Sequence, residues 1–299
     1  MNTASTKLPT VIQLIEAGAQ QLEAAGVAYG HGTSNAFDEA AWLVLWQLGL
    51  PLDDLDAVAA RPVSPEDQAK VTTLLQQRIS TRKPAAYLTR EAWLQGVPFY
   101  VDERAIVPRS FIAELLVHPD YSGTLDAWLG AHTKRVLDLC TGNGSLAVLA
   151  ALAWPDVTVD GADLSEDALE VARINVEKHG LENRVTLLQS DGLAQVRGPY
   201  DLILCNPPYV NAQSMAALPA EYRAEPALAL AGGTDGMDFI RRLLREAPAQ
   251  MSEHAVLVLE IGNERAHFEA AFPRLEVAWL ETSAGDEQVL LITREALLK

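Results

Sequence analysis

The chain has 299 residues, of which 49% are hydrophobic, so it can bury a large core. Forty acidic residues against 23 lysines and arginines give a formal net charge of −17. An acidic surface repels a phosphate backbone and attracts a basic protein, so we expect no sequence-specific binding of nucleic acid. The same charge could equally serve only to keep the protein in solution. The longest apolar runs, such as 146–154, are too short for a bilayer, so no membrane partner is predicted.

The cysteine and histidine patterns argue against disulfides and metal sites. Cys140 and Cys205 each lie in an apolar, strand-like run, which is typical of small buried thiols. The six histidines show no metal-ligand spacing, so no metal is predicted. Residues 1–9 have no apolar run behind a basic flank, which favours a cytoplasmic protein over a secreted one.

Helical patterns dominate the chain up to about residue 82. Three residues of types that cap helices precede three such patterns: Thr10, Asn35 and Ser64. Gln13 completes a capping box with Thr10, and Pro65 suits the first helical position after Ser64. We expect the second helix to end at Leu48 and the third near Ser80.

A change of pattern after residue 85 indicates a second domain. The extended pieces 93–94 and 98–101, separated by Gln95 and Gly96, predict a β-hairpin. We therefore expect three parts in chain order: a helical substrate-recognition domain over 1–85, a hairpin linker over 86–110 and a catalytic domain over 111–299.

Strand-like and helix-like patterns alternate through the predicted catalytic domain. The β-rich runs are 136–139, 157–162, 185–188, 202–205 and 256–261. This alternation predicts an α/β fold with a doubly wound, mostly parallel, Rossmann-like sheet. The last two runs, 275–280 and 288–292, flank a turn that contains Gly285 and predict a terminal antiparallel hairpin.

A glycine-rich loop follows the first of these strands. Gly142 and Gly144 permit a tight turn, and the free amides of the helix that follows favour an anionic group such as a carboxylate. With Ala147 they also fit the fingerprint of nicotinamide-dependent dehydrogenases. Asp138 would repel a pyrophosphate but suits a cationic ammonium or sulfonium, which favours S-adenosylmethionine as the cofactor.

Two further carboxylates follow the next strands and are candidates for cofactor binding. Asp163 can accept both hydroxyls of a ribose, a role that dehydrogenases and methyltransferases share. Asp191, after the third strand, is a candidate neighbour of the adenine, although an aspartate that caps a turn has the same appearance.

The tetrapeptide Asn206, Pro207, Pro208 and Tyr209 directly follows the fourth strand. Its prolines hold the chain extended and remove two backbone donors, so carbonyl acceptors are left. The side-chain oxygen of Asn206 and the carbonyl of Pro207 can each accept one hydrogen of a planar NH2 group, and Tyr209 can stack on that group. The tetrapeptide thus predicts catalytic and substrate-binding residues for methylation of a planar nitrogen. A proline turn capped by Asn206 is the structural alternative.

The glycine loop, Asp163 and the tetrapeptide resemble amino methyltransferases that act on glutamine, adenine or guanine nitrogen. With the helical N-terminal region and the hairpin, nearly the whole chain resembles the HemK/Prm protein-glutamine methyltransferases. The resemblance implies S-adenosylmethionine as cofactor, bound at Gly142, Gly144, Asp163 and Asn206. For the substrate amide it implies Asn206, Pro207 and Tyr209.

That family has two bacterial substrates, a glutamine of peptide-chain release factors and a glutamine of large-subunit ribosomal protein L3. Residues 86–93, 96–104 and 107–110 are similar to the ribosomal-protein branch. The release-factor branch typically has a second proline and an acidic residue where Ser110 and Phe111 stand here. The resemblance therefore implies ribosomal protein L3 as the partner, with release factors or a nucleic-acid base as alternative substrates.

Other functions and residues remain open from sequence alone. A nicotinamide-dependent dehydrogenase would have no use for the tetrapeptide, and a non-catalytic ribosome-assembly factor would not need both motifs. Arg109 could hold a cofactor or substrate carboxylate, or pair with Glu114 on the surface. Glu225 and Pro226 are candidates for a loop that covers the substrate. Trp42, Trp46 and Trp93 could form a protein-docking patch, but we expect them in the core, where aromatic residues at helical spacing usually lie.

Overall fold

The computed structural model describes residues 8–299, which form two compact units. The first unit contains the described residues up to Glu91 together with Pro219–Ala224, and the second contains Ala92–Leu218 and Glu225–Lys299. Within residues 8–299, no helix is long and apolar enough to cross a membrane.

The structure contains the following helices and strands, numbered in chain order. The α-helices are α1 (Val11–Ala24), α2 (Ala36–Gln47), α3 (Leu55–Val58), α4 (Pro65–Thr81), α5 (Ala85–Thr89), α6 (Ile112–Val117), α7 (Ser145–Ala153), α8 (Glu166–Lys178), α9 (Ala212–Ala217), α10 (Ala220–Arg223), α11 (Asp238–Glu246), α12 (Arg265–Ala271) and α13 (Arg294–Leu297). The strands are β1 (Ala92–Leu94), β2 (Val97–Phe99), β3 (Arg135–Leu139), β4 (Thr158–Asp163), β5 (Val185–Gln189), β6 (Tyr200–Cys205), β7 (Met251–Glu260), β8 (Ala278–Thr282) and β9 (Gly285–Thr293). Short 3-10 helices lie at Thr124–Ala127, Ala227–Ala229 and Ala247–Ala249.

Local capping chemistry sets the helix starts of the first unit. The backbone N–H of Thr10 donates to Gln13 Oε1 at 2.9 Å, as the capping box predicts. Asn35 Oδ1 and Ser64 Oγ accept from backbone N–H groups three residues on, at 2.9 Å and 3.1 Å. The three predicted helices are confirmed. Helix α3 was not predicted, because four residues provide too little hydrophobic periodicity.

A buried arginine lies at the centre of the polar contacts in the first unit. The Arg78 side chain is fully buried, and its Nε donates to Glu39 Oε1 at 2.8 Å. Its Nη1 donates to Glu221 Oε1 at 3.3 Å, and its Nη2 donates to the carbonyl of Ala28 at 2.9 Å. Both carboxyl groups are also buried. Arg78 therefore joins α2 and α4 to the separate segment Pro219–Ala224.

Replacing Arg78 with alanine should lower the free energy of unfolding by about 3 to 5 kcal/mol, since two buried carboxylates lose their principal cation. Urea unfolding followed by circular dichroism measures this loss. Arg82→Ala is the control, because this side chain is one-third exposed and reaches Glu221 only at 3.4 Å. Equal losses in the two variants would contradict the argument from burial.

The second unit is built on a seven-stranded sheet with the order β5-β4-β3-β6-β7-β9-β8. The first five strands in this order, β5, β4, β3, β6 and β7, are parallel. Strand β9 pairs antiparallel with both β7 and β8. The chain proceeds from β3 outwards through β4 and β5 and then returns to β6 on the other side of β3. This reversal creates a crevice beyond the carboxyl ends of β3 and β6, where open α/β sheets bind ligands. The predicted α/β fold is confirmed.

Both predicted hairpins are present. Strands β1 and β2 are joined by Gln95 and Gly96, whose φ angles of +50° and +76° match a tight two-residue turn. The expectation of a core position is wrong for Trp93, which is 46% exposed. Its neighbours Ala92 and Leu94 are buried, because side chains alternate between the two faces of a strand.

Candidate active site

A cavity opens in the second unit at the carboxyl ends of β3 to β6. The predicted site residues that line it are Gly142, Asp163, Asp191, Asn206 and Pro208. The parallel strands therefore bring together loops that lie up to 66 residues apart in sequence, from Cys140 to Asn206.

The turn after β3 has a left-handed backbone at three residues. The φ angles are +62° at Cys140, +55° at Gly142 and +80° at Gly144. A Cβ atom at Gly142 would have no neighbour within 4 Å, whereas one at Gly144 would lie 3.1 Å from Ala172 Cβ. Gly142 thus leaves the cavity wall open, and Gly144 allows α7 to pack against α8. Gly144 does not itself line the cavity.

The two cysteines differ in their surroundings. Cys205 is buried in β6, as expected. The expectation of a buried strand position is wrong for Cys140, which is partly exposed and lines the cavity. Strand β3 ends at Leu139, and Cys140 begins the turn, so the apolar pattern of the sequence extends one residue beyond the strand.

Asp138 lies beneath the loop and not on the cavity wall. It is 1% exposed, and its Oδ2 accepts hydrogen bonds from Thr141 Oγ1 at 2.5 Å and from the backbone N–H of Ala147 at 2.9 Å. Its Oδ1 has no hydrogen-bond partner within residues 8–299. Burial raises the pKa of Asp138 to about 7, although both hydrogen bonds oppose the rise. The carboxyl group fastens the turn to the start of α7.

This buried carboxyl should make stability depend on pH. Its folded pKa of about 7 lies above the value near 4 of an unfolded aspartate, so the unfolded state releases its proton first. The free energy of unfolding should therefore fall as pH rises from about 4 to about 7, by about 4 kcal/mol for three pKa units. Urea titrations at several pH values, with Asp138→Asn as the variant, measure this contribution.

The asparagine variant keeps an acceptor for Thr141 but has no proton to lose, so the stability difference between it and the wild type should change with pH. The exposed Asp53→Asn is the control and should give a difference that does not change. A constant difference for Asp138→Asn from pH 4 to pH 8 would contradict the raised pKa.

Asp163 ends β4 and connects two loops at the cavity wall. Its Oδ2 accepts from the backbone N–H of Gly142 at 2.8 Å, and its Oδ1 accepts from that of Ser165 at 2.9 Å. Burial raises its pKa. Each carboxylate oxygen can accept a second hydrogen bond, so the side chain can bind a vicinal diol while it holds both loops in place.

Asp191 follows β5 and is largely exposed. Its Oδ1 accepts from Arg242 Nη2 at 2.6 Å, and this ion pair lowers the pKa of Asp191. The residue lines the cavity together with the aromatic ring of Phe239, which the sequence analysis did not single out. An aromatic face beside Asp191 can stack on a planar base.

A second unexpected residue of the cavity wall is Arg104. Its Nε and Nη2 donate to the two carboxylate oxygens of Asp102 at 2.9 Å and 2.7 Å. Burial opposes ionisation of Asp102, but hydrogen bonds from Arg104 and Tyr100 lower its pKa to about 2. Arg104 lies in the segment 96–104 that resembles the ribosomal-protein branch, but neither it nor Phe239 was predicted as a site residue.

The tetrapeptide begins directly after β6. Asn206 is partly exposed at the cavity, and its side chain makes no hydrogen bond with any residue from 8 to 299. Pro207 is buried, and neither Pro207 nor Tyr209 lines the cavity. The hydroxyl of Tyr209 donates to Glu260 Oε1 at 3.3 Å. The segment is held further by Val210, which exchanges backbone hydrogen bonds of 2.9 Å with Leu230 and Gly232.

Arg109 pairs with Glu225, so the expected surface pair with Glu114 is wrong. Its Nη1 and Nη2 donate to the two Glu225 oxygens at 2.6 Å and 2.7 Å, and the backbone N–H of Val107 donates to the same carboxylate at 3.0 Å. Glu114 is buried and accepts from Ser283 instead. The Arg109 pair anchors the segment in which Pro226 and Leu228 line the cavity.

Comparison with known proteins agrees with this architecture. Residues 123–223 match the family profile of the methyltransferase small domain, and residues 13–89 match that of the PrmC N-terminal domain. The chain is 53% identical to the ribosomal protein uL3 glutamine methyltransferase of Bordetella pertussis over 99% of both chains. This chain belongs to the uL3 glutamine methyltransferase family. The enzyme of that name from Burkholderia pseudomallei is 51% identical over 98% of this chain and 97% of its own.

The predicted HemK/Prm resemblance and its ribosomal-protein branch are confirmed by these relatives. Among solved structures, the hMettl16 catalytic domain in complex with MAT2A 3′UTR hairpin 6 has a TM-score of 0.51. It is 13% identical and covers 76% of this chain and 81% of its own, so it supports the fold alone. The uL3 glutamine methyltransferase family implies S-adenosylmethionine as methyl donor.

The residues of the site fit that donor chemically. Asp163 offers acceptors to a diol, and Gly142 leaves open space at the turn. These features match the ribose of S-adenosylmethionine and leave room for the donor beside the turn.

Proposed function

We propose that this protein transfers a methyl group from S-adenosylmethionine to the side-chain amide nitrogen of a glutamine in ribosomal protein uL3. One observation carries the proposal. The tetrapeptide that begins at Asn206 adjoins the cavity at the carboxyl ends of the strands, in a chain that is 53% identical to a uL3 glutamine methyltransferase over 99% of both chains. The proposal includes a cytoplasmic location, because the proposed substrate is a ribosomal protein.

In this proposal, the loops of the second unit bind the donor. Asp163 accepts the ribose hydroxyls. Asp191 and Phe239 flank the adenine, and Gly144 keeps the turn close to α8. Asp138 holds the turn from below. When bound, the donor supplies a methyl group on a positively charged sulfur.

The tetrapeptide orients the amide. Asn206 Oδ1 accepts one hydrogen of the glutamine NH2 group, and the carbonyl of Pro207 accepts the other. An amide nitrogen is a weak nucleophile because its lone pair is delocalised, so fixed geometry has to supply much of the rate enhancement. Pro208 lacks an N–H group, so it adds no backbone donor to the site, and Tyr209 covers the plane of the amide.

Charge favours a basic ribosomal protein over nucleic acid as the partner. With a net charge of −17, the enzyme attracts a cationic protein over distances of about one Debye length, roughly 8 Å at physiological salt. The attraction raises the association rate more than the affinity, so methylation at low uL3 concentration should slow as salt is added.

The test is transfer of radiolabelled methyl from S-adenosylmethionine to uL3, to a release factor and to unmodified ribosomal RNA in parallel reactions. Label on a glutamine of uL3, located by mass spectrometry, supports the proposal. Label on the release factor alone would support glutamine methylation but would show that uL3 is not the substrate. Label on RNA alone, or on none of the three, would overturn the proposal.

A further inference from the structure

Glu260 is a buried carboxyl group at the same sheet edge as the tetrapeptide. Cys205 of β6 pairs in register with Leu259 of β7, and Asn206 and Glu260 are the residues that directly follow this pair. The Glu260 side chain is only 3% exposed, although glutamate is rarely fully buried unless it is paired.

Neutral donors surround this carboxyl group. Its Oε2 accepts from Ser110 Oγ at 2.5 Å and from the backbone N–H of Phe111 at 2.9 Å. Its Oε1 accepts from the hydroxyl of Tyr209 at 3.3 Å. Burial raises the pKa of Glu260, and these hydrogen bonds oppose the rise. One carboxyl oxygen is thus fixed by the chain before α6, and the other meets the last residue of the tetrapeptide.

Tyr209 is held closely on its other sides. A Cβ atom at Gly262, whose φ is +53°, would lie 2.5 Å from Cε2 of the tyrosine ring. A Cβ atom at Gly236 would lie 2.2 Å from the Tyr209 carbonyl oxygen. The ring therefore rests on bare backbone at Gly262, and its hydroxyl is the end of the side chain that Glu260 can fix.

We propose that Glu260 is a positioning residue for methyl transfer, which acts by holding the Tyr209 ring in the orientation that covers the substrate amide. Ser110 and Phe111 hold the carboxyl group in turn. The inference rests on the proposed function, because it gives Tyr209 its place beside the glutamine. Holding the ring in place matters because a small displacement of the reacting groups lowers the reaction rate by a large factor.

The first experiment compares Glu260→Gln with wild type in methylation of uL3. The expected result is a decrease of about tenfold in kcat, the value of one well-placed hydrogen bond, with the KM for S-adenosylmethionine changed less than twofold. Glu260→Ala should lower kcat more than Glu260→Gln does, because the glutamine side chain of the latter still offers one acceptor oxygen. Circular dichroism and the melting temperature establish that each variant is folded.

A double-mutant cycle tests whether Glu260 acts through the tyrosine. If it does, Tyr209→Phe combined with Glu260→Gln should lower kcat no further than the larger of the two single changes. Losses that multiply would overturn the inference. So would a wild-type kcat in Glu260→Gln.

Glu114→Gln is the matched control. Glu114 is also buried and accepts from a serine, with Ser283 Oγ at 2.5 Å and the Ser283 N–H at 2.7 Å, but it does not contact the tetrapeptide. It should lower the melting temperature and leave kcat within twofold of wild type. A similar loss of kcat in both glutamine variants would mean that buried carboxyls contribute only to stability, and would overturn the inference.

A spectroscopic readout separates this inference from the proposed function. In protein labelled with 3-fluorotyrosine, the fluorine resonance that Tyr209→Phe removes belongs to Tyr209. Glu260→Gln should shift that resonance without any substrate, and Glu114→Gln should not. An unchanged resonance and kcat in an enzyme that methylates uL3 would overturn the inference alone. A wild-type enzyme that leaves uL3 unlabelled would overturn the proposed function and this role with it.

Discussion

Replacing Asn206 with alanine should lower kcat for uL3 methylation by about 10²- to 10³-fold, the usual loss when one fixed polar contact to a reacting group is removed. The side chain is the one member of the tetrapeptide that offers the substrate a polar side-chain acceptor at the cavity. Since it makes no hydrogen bond within residues 8–299, the melting temperature should hardly change. Steady-state kinetics and differential scanning calorimetry measure the two effects.

Asn211 provides the matched control for this substitution. Its Oδ1 caps α9 by accepting from the backbone N–H of Ser214 at 2.9 Å, and its Nδ2 donates to Glu264 Oε1 at 2.7 Å. Asn211→Ala should therefore cost about 1 kcal/mol of stability through the lost cap and leave kcat nearly unchanged. An Asn206→Ala enzyme with more than a tenth of the wild-type kcat would contradict the assigned role.

Replacing Asp163 with alanine should raise the Kd for S-adenosylmethionine by about 10²- to 10⁴-fold. Two hydrogen bonds to a charged acceptor are worth about 1.5 to 3 kcal/mol each, and the ribose hydroxyls would lose both. In the variant, the backbone N–H groups of Gly142 and Ser165 would also lose the carboxylate that accepts their hydrogen bonds. Isothermal titration calorimetry measures the affinity directly.

A comparison with Asp191 tests the geometry behind this prediction. Its carboxylate is 60% exposed and already pairs with Arg242, so Asp191→Ala should weaken binding less than tenfold. If the two alanine variants bound S-adenosylmethionine equally well, the assignment of the ribose to Asp163 would be wrong.

Features that depend on local chemistry could be predicted from the sequence. Asn35 and Ser64 cap helices by contacts that reach only three residues along the chain, so composition suffices to place them. The glycine turn and the tetrapeptide were found at one site for a related reason. Each directly follows a strand, and parallel strands end at a common edge of the sheet.

Features that depend on distant contacts could not be predicted in this way. Arg109 and Glu225 lie 116 residues apart, and nothing in the sequence favours that pairing over Glu114, which is five residues away. Phe239 lies on α11, and the segment before α11 forms backbone hydrogen bonds with Val210, just beyond β6. This path of the chain brings Phe239 to the cavity wall, and it is a property of the fold. The outward orientation of Trp93 depends on which face of a three-residue strand is covered.

The first unit is not a contiguous piece of the chain, and this limits how the protein can be divided. A fragment that ends at Glu91 would lack Glu221, which is 2% exposed and bonded to Arg78. A fragment that starts at Ala92 would contain the segment Pro219–Ala224 but lack the rest of the first unit, to which this segment belongs. Chimeras between relatives therefore have to exchange both stretches together, because the first unit is inherited in two pieces.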